Sequence, residues 1–281
     1  MRKPYTTTPP VVMTIAGVDS GGGAGVAADL KTFAALGVHG TCAVTALTAQ
    51  NTQGVTAIVP TSPEMVVAQI EANVSDFGCD ALKTGMLATA EIVEAVYACV
   101  ARLHLKNLVV DPVMIATSGA LLLAPEAREA YREMLIPVST VITPNVPEAE
   151  SLLGHSLHGV DDLPAAAREL SHQWEPGPEA VIITGGHCVE KGEATDVLYE
   201  RKTNRVHYLL GPALETGTTH GSGCVFAAAL AAHLSAGAPL LKAAQAAKQF
   251  TTEALRYGLH LGAGVGPVNP MWNLVQKEET R

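Results

Sequence analysis

The sequence predicts one α/β domain of three layers, in which helices cover both faces of a mostly parallel β-sheet. Two observations lead to this fold class. Short apolar runs rich in Val and Ile alternate with longer helical stretches along the 281 residues. Several of these runs end in a Gly-rich or polar turn before the next helix, as in successive βα units. We expect a flexible lead-in over 1–10, the domain over 11–270 and a tail over 271–281.

Composition and charge exclude several classes of protein. A hydrophobic content of 48% and a charged content of 16% exclude a disordered chain. The apolar runs are too short to span a membrane. The net charge of −9 argues against nucleic-acid binding. The five cysteines include no CxxC pair, so neither a disulfide framework nor a zinc site is expected. Because no export signal is apparent, we expect a cytoplasmic protein.

The first βα unit contains a Gly-rich loop. A strand at 11–16 leads into GVDSGGGAG at 17–25, and a helix follows from Val26 to Leu36, closed by Gly37. Neither common phosphate motif explains this loop. The pattern GxxxxGK[ST] is absent from the sequence, and Val26 stands where GxGxxG needs its third glycine.

The second strand leads into a polar cluster. The strand at 40–47 is followed by TAQNTQG at 48–54, which contains two hydroxyls and the amides of Gln50 and Asn51. An amide donates and accepts hydrogen bonds at once, so the cluster suits recognition of a planar polar ring. An ordinary polar loop is the alternative interpretation.

The middle of the chain places acidic side chains beside strand ends. Asp111 ends a buried strand at 107–114, and Asn145 and Glu148 frame a helix start after the strand at 141–145. Ligands bind at the carboxyl edge of open α/β sheets. Mg²⁺ takes one or two carboxylates and keeps its waters, so these three side chains are candidate metal ligands. Taken singly, each acid is better explained as a helix cap or a solvated carboxylate than as a ligand.

The remaining segments complete the alternation of strands and helices. The segment 115–119 is expected to form a flap. The other expected elements are helices at 63–73, 89–103, 161–171, 223–235 and 239–257, strands at 81–83 and 180–187, and a hairpin formed by 195–199 and 205–209.

A second Gly-rich turn, GTTHGSGC at 217–224, precedes an Ala-rich helix. Free N–H groups and partial positive charge at a helix start make an anion site, and glycine allows close approach. We expect the pKa of the Cys224 thiol to be lowered there. Taken alone, the turn is equally well explained as the start of a core helix.

Together these motifs resemble those of the hydroxymethylpyrimidine/phosphomethylpyrimidine kinases of thiamine synthesis, which have the ribokinase-like fold. The resemblance covers about residues 11–270, and the ordered set is far more specific than any single motif. The matching segments are AGVDSGGGAG at 16–25, ADLKT at 28–32, TALTAQNT at 45–52, KTGML at 83–87, DPVM at 111–114, TPNVPEAE at 143–150, GGH at 185–187 and THGSGC at 219–224.

The resemblance implies an ATP- and Mg²⁺-dependent kinase. Its substrate would be 4-amino-5-hydroxymethyl-2-methylpyrimidine and then the monophosphate of that compound. A short β flap and a homodimer, acting on small molecules without nucleic acid or membrane, are also implied. The implied site residues are Cys224, Gly221, Ser222 and Gly223 in catalysis, Gln50, Asp29, Gly17, Thr48 and Met86 for the pyrimidine, Thr184, Gly186 and Thr219 for the nucleotide phosphates, and Asp111, Glu148 and Asn145 for the metal.

Two positions depart from relatives of this fold. Ribokinase-like sugar kinases carry an Asp general base where this chain has Cys224. Proton removal by a thiolate and mere orientation of the hydroxyl both remain open. Some relatives carry a phosphate-binding Lys where this chain has Thr184, which offers only a neutral hydroxyl.

Two rival hypotheses accompany the pyrimidine kinase. A pyridoxal kinase has the same fold, and a Cys in its anion hole could add to the aldehyde. The sequence separates these two kinases poorly. A catalytically inert binding protein is the third hypothesis, and the presence of Asp111, Glu148 and the 221–224 turn argues against it.

Overall fold

The structure, a computed structural model, describes residues 8–113, 125–186, 189–190 and 192–275. In those residues ten strands form one sheet, in the order β10-β9-β7-β6-β5-β4-β1-β2-β3, with β8 paired to β9. The strands are β1 Val11–Val18, β2 His39–Asn51, β3 Gly54–Pro60, β4 Ala81–Thr84, β5 Leu108–Val110, β6 Val141–Ile142, β7 Ala180–Ile183, β8 Val189–Glu190, β9 Glu193–Glu200 and β10 Arg205–Pro212.

Six strands are consecutive in the sheet and each runs parallel to its neighbours, in the order β2, β1, β4, β5, β6 and β7. Strand β9 runs antiparallel to β7, and β10 runs antiparallel to β9. Strands β2 and β3 form an antiparallel hairpin at the opposite edge. Because β10 points the same way as the parallel strands, its carboxyl end lies at the same edge of the sheet as theirs.

Helices cover both faces of the sheet. The helical segments are α1 Gly25–Leu36, α2 Pro63–Phe77, α3 Ala90–Arg102, α4 Pro125–Ala130, a π-helical turn Tyr131–Leu135, α5 Ile136–Val138, α6 Val146–Leu153, a 3₁₀ turn Val160–Asp162, α7 Leu163–His172, α8 Ser222–Ser235, α9 Leu240–Arg256 and α10 Trp272–Val275. No helix in the described ranges is long and apolar enough to cross a membrane.

Each face of the sheet has its own apolar core. One core packs α2, α3, α6 and α7 against side chains such as Met13, Leu82 and Val110. The other packs α1, α8 and α9 against Val12, Val109 and their neighbours. The alternation of side chains along each strand supplies both cores at once, as expected for parallel strands buried on both faces.

The expected three-layer fold is confirmed, and most helix ends follow the expected chemistry. Ser62 and Thr89 accept hydrogen bonds from backbone N–H groups as N-caps of α2 and α3, and Gly37 ends α1 in a left-handed conformation. The expected polar loop at 48–54 differs, because residues up to Asn51 continue β2 into a hairpin with β3. The helical segment 125–138 was not expected, and the flap expected at 115–119 lies outside the described residues.

Candidate active site

Asp19 organises the Gly-rich loop that follows β1. Its Oδ1 accepts a hydrogen bond from the N–H of Gly21 at 2.8 Å, and its Oδ2 accepts from those of Gly23 and Ala24, both at 3.0 Å. The side chain is only 5% exposed. Gly25 then begins α1 with φ of 57°, and a side chain there would lie 2.2 Å from the carbonyl oxygen of Gly17. The close packing of this loop therefore requires glycine at position 25.

Four of the five residues expected to bind the pyrimidine gather between β1, β2 and β4. A Cβ on Gly17 would lie 2.9 Å from Cε of Met86. Thr48 Oγ1 donates to the carbonyl oxygen of Val18 at 2.9 Å and lies 3.1 Å from Oε1 of Gln50. The Gln50 amide is thus held at the edge of this cluster, half-buried. The arrangement could present a planar hydrogen-bonding group to a ring.

Asp29, the fifth residue of that set, has different surroundings from those expected. Its side chain is fully buried and accepts hydrogen bonds from Thr14 Oγ1 at 2.6 Å and from Nζ of Lys83 at 3.0 Å. The physical reason is the buried ammonium of Lys83, which needs a counter-charge close by. Asp29 therefore supports the strands behind the site, and direct contact with a substrate stays an untested prediction.

Lys83 joins Asp29 to Asp111. Its fully buried Nζ lies 3.6 Å from Oδ2 of Asp111, which follows β5 directly. Burial raises the pKa of the Asp111 carboxyl to about 6, although Lys83 opposes this shift. The Asp111 carboxyl also interacts with the Cys224 thiol. An acid, an ammonium and a thiol thus meet at the carboxyl edge of the sheet, where Asp111 was expected to face the site.

The expectation of a lowered pKa for Cys224 is wrong. Burial raises the pKa of this thiol to about 12; Lys83 lowers it, and the carboxylates of Asp111 and Asp29 raise it further. A backbone donor does lower the pKa of the thiol, but it is the N–H of Gly25 at the start of α1, not one at the start of α8. Burial and two nearby negative charges nevertheless outweigh this donor and the single ammonium. The free protein therefore holds Cys224 as a neutral thiol.

The turn before α8 has the geometry of an anion site. Gly221 is the N-cap with φ of 82°, and a Cβ there would come 1.9 Å from the carbonyl oxygen of Gly23. A Cβ on Gly223 would meet no atom within 4 Å, and Gly223 is exposed. Ser222 is half-buried, and its N–H donates to the carbonyl oxygen of Thr219 at 3.2 Å. The turn thus packs against the first Gly loop and leaves open space on its other side.

Asn145 and Glu148 form a capping box at the start of α6. The Asn145 side chain accepts from the N–H of Glu148 at 2.9 Å, and the Glu148 carboxylate accepts from the N–H of Asn145 at 3.0 Å. Helix capping therefore accounts for the three-residue spacing of Asn145 and Glu148. Burial raises the pKa of the Tyr131 hydroxyl, and the carboxylates of Asp111 and Glu148 each raise it further.

The donor set near Asp111 fits Mg²⁺. Oδ2 of Asp111 is buried and accepts no hydrogen bond from any described residue, although Lys83 lies nearby. Within the described ranges, no three His, Cys, Asp or Glu side chains converge as a metal cage. Mg²⁺ commonly binds through one or two carboxylates and water, so Asp111 with Glu148 suits it better than it suits Zn²⁺.

Of the residues expected to bind nucleotide phosphates, Thr184 and Gly186 follow β7 and Thr219 precedes α8. Thr184 is half-buried and its N–H donates to the carbonyl oxygen of Pro144 at 2.9 Å, next to Asn145. Gly186 and Thr219 are both exposed, and a Cβ on Gly186 would meet nothing within 4 Å. Open space lies beside two turns at one edge of the sheet, as phosphate binding requires.

A groove of about 280 Å³ lies near these turns, between the end of β10 and α9. It is linked to them by Asp196, whose Oδ1 accepts from the N–H of Gly185 at 3.0 Å and lies 2.9 Å from Nζ of Lys248. Tyr208 and Leu210 give the groove an apolar wall, and its cations Lys248 and Arg256 are paired with Asp196 and Glu253. Such a groove suits a flat base attached to an anionic chain.

Sequence reasoning missed several residues that shape the site. Lys83 sits in a four-residue strand, and Asp19 lies within a Gly loop. Both were noticed only as parts of motifs. A lysine in an otherwise apolar strand was the available signal, because an unpaired lysine is rarely buried. No local pattern could have revealed the Asp196–Lys248 pair, whose members are far apart in the chain.

Comparison with known proteins assigns the family. The phosphomethylpyrimidine kinase family model matches residues 19–269. The chain is 45% identical over 265 residues to the hydroxymethylpyrimidine/phosphomethylpyrimidine kinase of Synechococcus elongatus, covering 94% of this chain and 98% of that one. The structure is similar to that of the Clostridium difficile phosphomethylpyrimidine kinase, with a TM-score of 0.76, 39% identity, and coverage of 87% and 99%.

A pyridoxal kinase of Bacillus subtilis, solved as an ADP complex, is also similar. The TM-score is 0.86 and the identity 38%, with 95% of this chain and 99% of that chain covered. The sequence and fold resemblances agree with the ordered motifs around Gly17, Asp111, Asn145 and Cys224. The chain belongs to the phosphomethylpyrimidine kinase family.

Proposed function

We propose that the chain is an ATP-dependent kinase that phosphorylates 4-amino-5-hydroxymethyl-2-methylpyrimidine and then the resulting monophosphate. The observation that carries the proposal is the contact of the 221–223 turn with the Gly loop of β1, where a Cβ on Gly221 would lie 1.9 Å from Gly23 O. An anion site and a ring-binding cluster thus adjoin. A kinase needs this adjacency to hold a phosphoryl group beside the accepting hydroxyl.

The pyrimidine would lie among Gly17, Thr48, Gln50 and Met86. The Gln50 amide would read the ring edge that carries the amino group, because it can donate to a ring nitrogen and accept from the amine. Oγ1 of Thr48 lies 3.1 Å from Oε1 of this amide. The half-buried position of Gln50 excludes some water from these hydrogen bonds, which strengthens discrimination against rings that lack them.

In the transfer step the substrate hydroxyl oxygen forms a bond to the terminal phosphorus of ATP, and the bond from that phosphorus to the ADP oxygen breaks. The N–H groups of Gly221 and Gly223 would stabilise the charge on the phosphoryl oxygens, and Ser222, whose N–H donates to the carbonyl oxygen of Thr219, would hold the turn in shape. The hydroxyl proton leaves during this step and is taken up by an oxygen of the transferred phosphoryl group or by water. Cys224 is a neutral thiol in the free protein. We therefore infer that it orients the hydroxyl before any proton moves.

The nucleotide would lie along the edge formed by β7, β10 and α9. Thr184, Gly186 and Thr219 would contact its phosphates, and the groove lined by Tyr208 and Lys248 would take the base and ribose. Mg²⁺, held by Asp111 and Glu148 with Asn145 nearby, would neutralise charge on the phosphates. Some relatives carry a lysine at the position of Thr184, whereas this chain offers only a neutral hydroxyl there. The positive charge of Lys248 is therefore more important for nucleotide binding in this chain.

The decisive assay is ATP-dependent phosphate transfer to hydroxymethylpyrimidine and to its monophosphate, followed by chromatography of the products. The proposal expects both the monophosphate and the diphosphate to form. Failure to phosphorylate either compound, with the protein folded and binding ATP, would overturn it. Nucleotide binding without any transfer would instead support the inert binding protein.

Pyridoxal kinase activity is a second candidate. It is favoured by the similarity to the Bacillus subtilis pyridoxal kinase and by the half-buried Cys224 at the site, where a sulfur could add to an aldehyde. The comparison that decides is kcat/KM for pyridoxal against kcat/KM for hydroxymethylpyrimidine in the same preparation. A higher value for pyridoxal would make it the main substrate.

We also propose that the chain is a cytoplasmic homodimer whose catalytic unit spans 11–270. Exposed apolar side chains on the β2–β3 hairpin support a self-association surface: Leu47 is 57% and Val59 is 62% exposed. Sedimentation equilibrium would test the dimer, and a mass equal to 29.2 kDa at all concentrations would contradict it. Fractionation of cells would test the compartment.

A further inference from the structure

One imidazole connects the two halves of the proposed site. Nε2 of His220 lies 2.9 Å from Oδ2 of Asp19, although the two residues are 201 positions apart in the chain. Burial alone raises the pKa of the Asp19 carboxyl, but the His220 ring and the N–H groups of Gly21 and Gly23 hold that pKa below its ordinary value. Asp19 is therefore a carboxylate that only accepts, so Nε2 of His220 carries the proton and donates.

The backbone of His220 is fixed as firmly as its ring. Its N–H donates to the carbonyl oxygen of Gly266 at 3.1 Å, and its carbonyl oxygen accepts from the N–H of Val268 at 3.1 Å. The ring lies against Gly23, where a Cβ would come 2.5 Å from Cδ2 of the imidazole. His220 is directly followed by Gly221, the first residue of the proposed anion hole. Movement of this ring would therefore move the donors that hold the phosphoryl group.

Asp19 is connected in turn to the pyrimidine side. Ser20 Oγ accepts from the N–H of Gln50 at 2.8 Å and lies 3.0 Å from the carbonyl oxygen of Gln50. Lys31 Nζ donates to the carbonyl oxygen of Gly22 at 2.6 Å, which fixes the middle of the same loop. A continuous series of hydrogen bonds thus runs from the backbone of Gln50 through the loop to Asp19 and His220.

We propose that Asp19 and His220 are positioning residues that set the distance between the bound pyrimidine and the anion hole. Neither residue needs to touch substrate for this role. The carboxylate gathers the loop of β1, and the imidazole attaches that loop to the turn at 221–223. The inference rests on the proposed function, because it concerns the distance that phosphate must cross in that reaction. Misplacement of reacting groups by about 1 Å can lower a rate by about 10²-fold.

The test compares His220→Leu with His220→Gln in the full chain. Leu fills similar space but cannot donate, whereas the Gln amide can donate to Asp19. We expect His220→Leu to lower kcat for hydroxymethylpyrimidine by about 10- to 100-fold while KM for ATP changes less than about 3-fold. His220→Gln should recover kcat to within about 5-fold of the unaltered chain. A structural role alone would not lower kcat while leaving KM for ATP nearly unchanged, nor would it allow His220→Gln to recover kcat.

The matched control is His260→Leu, which makes the same change at an exposed position nearby in the chain. Its kcat should equal that of the unaltered chain. Circular dichroism and thermal unfolding of each variant show whether it is folded. If His220→Leu does not fold, the comparison of His220→Gln with Asp19→Asn and with their double variant replaces it. In that set His220→Gln should stay near the kcat of the unaltered chain, whereas Asp19→Asn and the double variant should show equal, larger losses, since both lack the carboxylate that the imidazole or amide binds.

Two results would overturn the inference. One is a folded His220→Leu variant with kcat within about 2-fold of the unaltered chain. The other is a double variant that loses more kcat than Asp19→Asn does, which would mean that the two side chains act independently. Absence of turnover in the unaltered chain would instead count against the proposed function. The two failures are therefore distinguishable in one set of assays.

Discussion

Nζ of Lys83 lies 3.0 Å from Oδ2 of Asp29, and both side chains are completely buried. Burial alone would lower the pKa of Lys83, but the carboxylates of Asp29 and Asp111 raise it above its ordinary value. Lys83 is therefore a permanent ammonium between two carboxylates. A buried charge is stabilised only while its partners remain. Loss of Lys83, Asp29 or Asp111 would therefore leave an uncompensated charge in the site.

Replacement of Lys83 by Met is expected to destabilise the protein strongly. The change would leave Asp29 as an uncompensated buried carboxylate, at a cost of about 3–5 kcal/mol in the free energy of unfolding. Urea denaturation followed by circular dichroism measures this. Arg102→Met is the control, since Arg102 and its partner Glu71 are both exposed and such surface pairs add little to stability. Equal effects of the two changes would contradict the importance of the buried pair.

Cys224 should react slowly with iodoacetamide in the ligand-free protein. Alkylation needs the thiolate, and a pKa raised to about 12 leaves little thiolate at any pH below that value. The rate should therefore keep rising with pH through pH 9, and at pH 8 it should be at least about 100-fold lower than for free cysteine. Mass spectrometry of peptides separates Cys224 from the other cysteines. A rate that levels off near pH 7 would show that the pKa is low after all.

Gly221 and Gly223 should respond differently to alanine. A methyl on Gly221 would collide with the carbonyl oxygen of Gly23, and φ of 82° is unfavourable for alanine, so we expect loss of both stability and turnover. A methyl on Gly223 meets no described atom within 4 Å. We expect Gly223→Ala to fold normally but to lower kcat by about 10-fold or more, because the methyl would occupy phosphoryl space.

Thermal unfolding and steady-state kinetics of both variants check this difference. Gly217→Ala is the matched control, since that residue is exposed, has no positive φ and has open space around it. A Gly221→Ala variant with normal stability and turnover would contradict the close packing of the two turns.

Gln50→Leu should raise KM for hydroxymethylpyrimidine by about 10²-fold, because the polar ring edge would lose its partner. KM for ATP should change little, since Gln50 lies on the other side of the site from Thr184 and Gly186. Gln53→Leu, at an exposed position of the same hairpin, is the control. Initial-rate kinetics with each substrate varied in turn provide the measurement. An unchanged KM would remove Gln50 from the pyrimidine pocket.

The strand ends and glycines of the site could be predicted because their signals are local. The apolar run before Asp111 predicts a buried strand whatever the rest of the fold is. The spacing of Asn145 and Glu148 predicts a helix start in the same way. The π-helical turn at Tyr131–Leu135 gave no such signal, since its apolar spacing does not differ from that of an ordinary helix. Element types were therefore more predictable than the irregular segments between them.

Contacts between distant segments could not be predicted in this way. The thiol of Cys224 illustrates the difference. Its place at a helix start suggested a low pKa, whereas the carboxylates of Asp29 and Asp111, brought close by the sheet, raise it. The pairing of Asp29 with Lys83 likewise depends on residues 54 positions apart, and no motif around Asp29 predicts it. The charge around a group depends on tertiary packing, which a local motif does not contain.

Helix α8 bears five fully or nearly fully buried alanines, Ala227, Ala228, Ala229, Ala231 and Ala232. Side-chain size sets how closely a helix can approach its neighbours. These methyl groups therefore act as a spacer of fixed thickness between the sheet and the axis of α8, whose first turn is the proposed anion hole. A single larger residue at Ala228, about one turn beyond Cys224, would move that axis away from the sheet and slow phosphate transfer without changing any residue of the site.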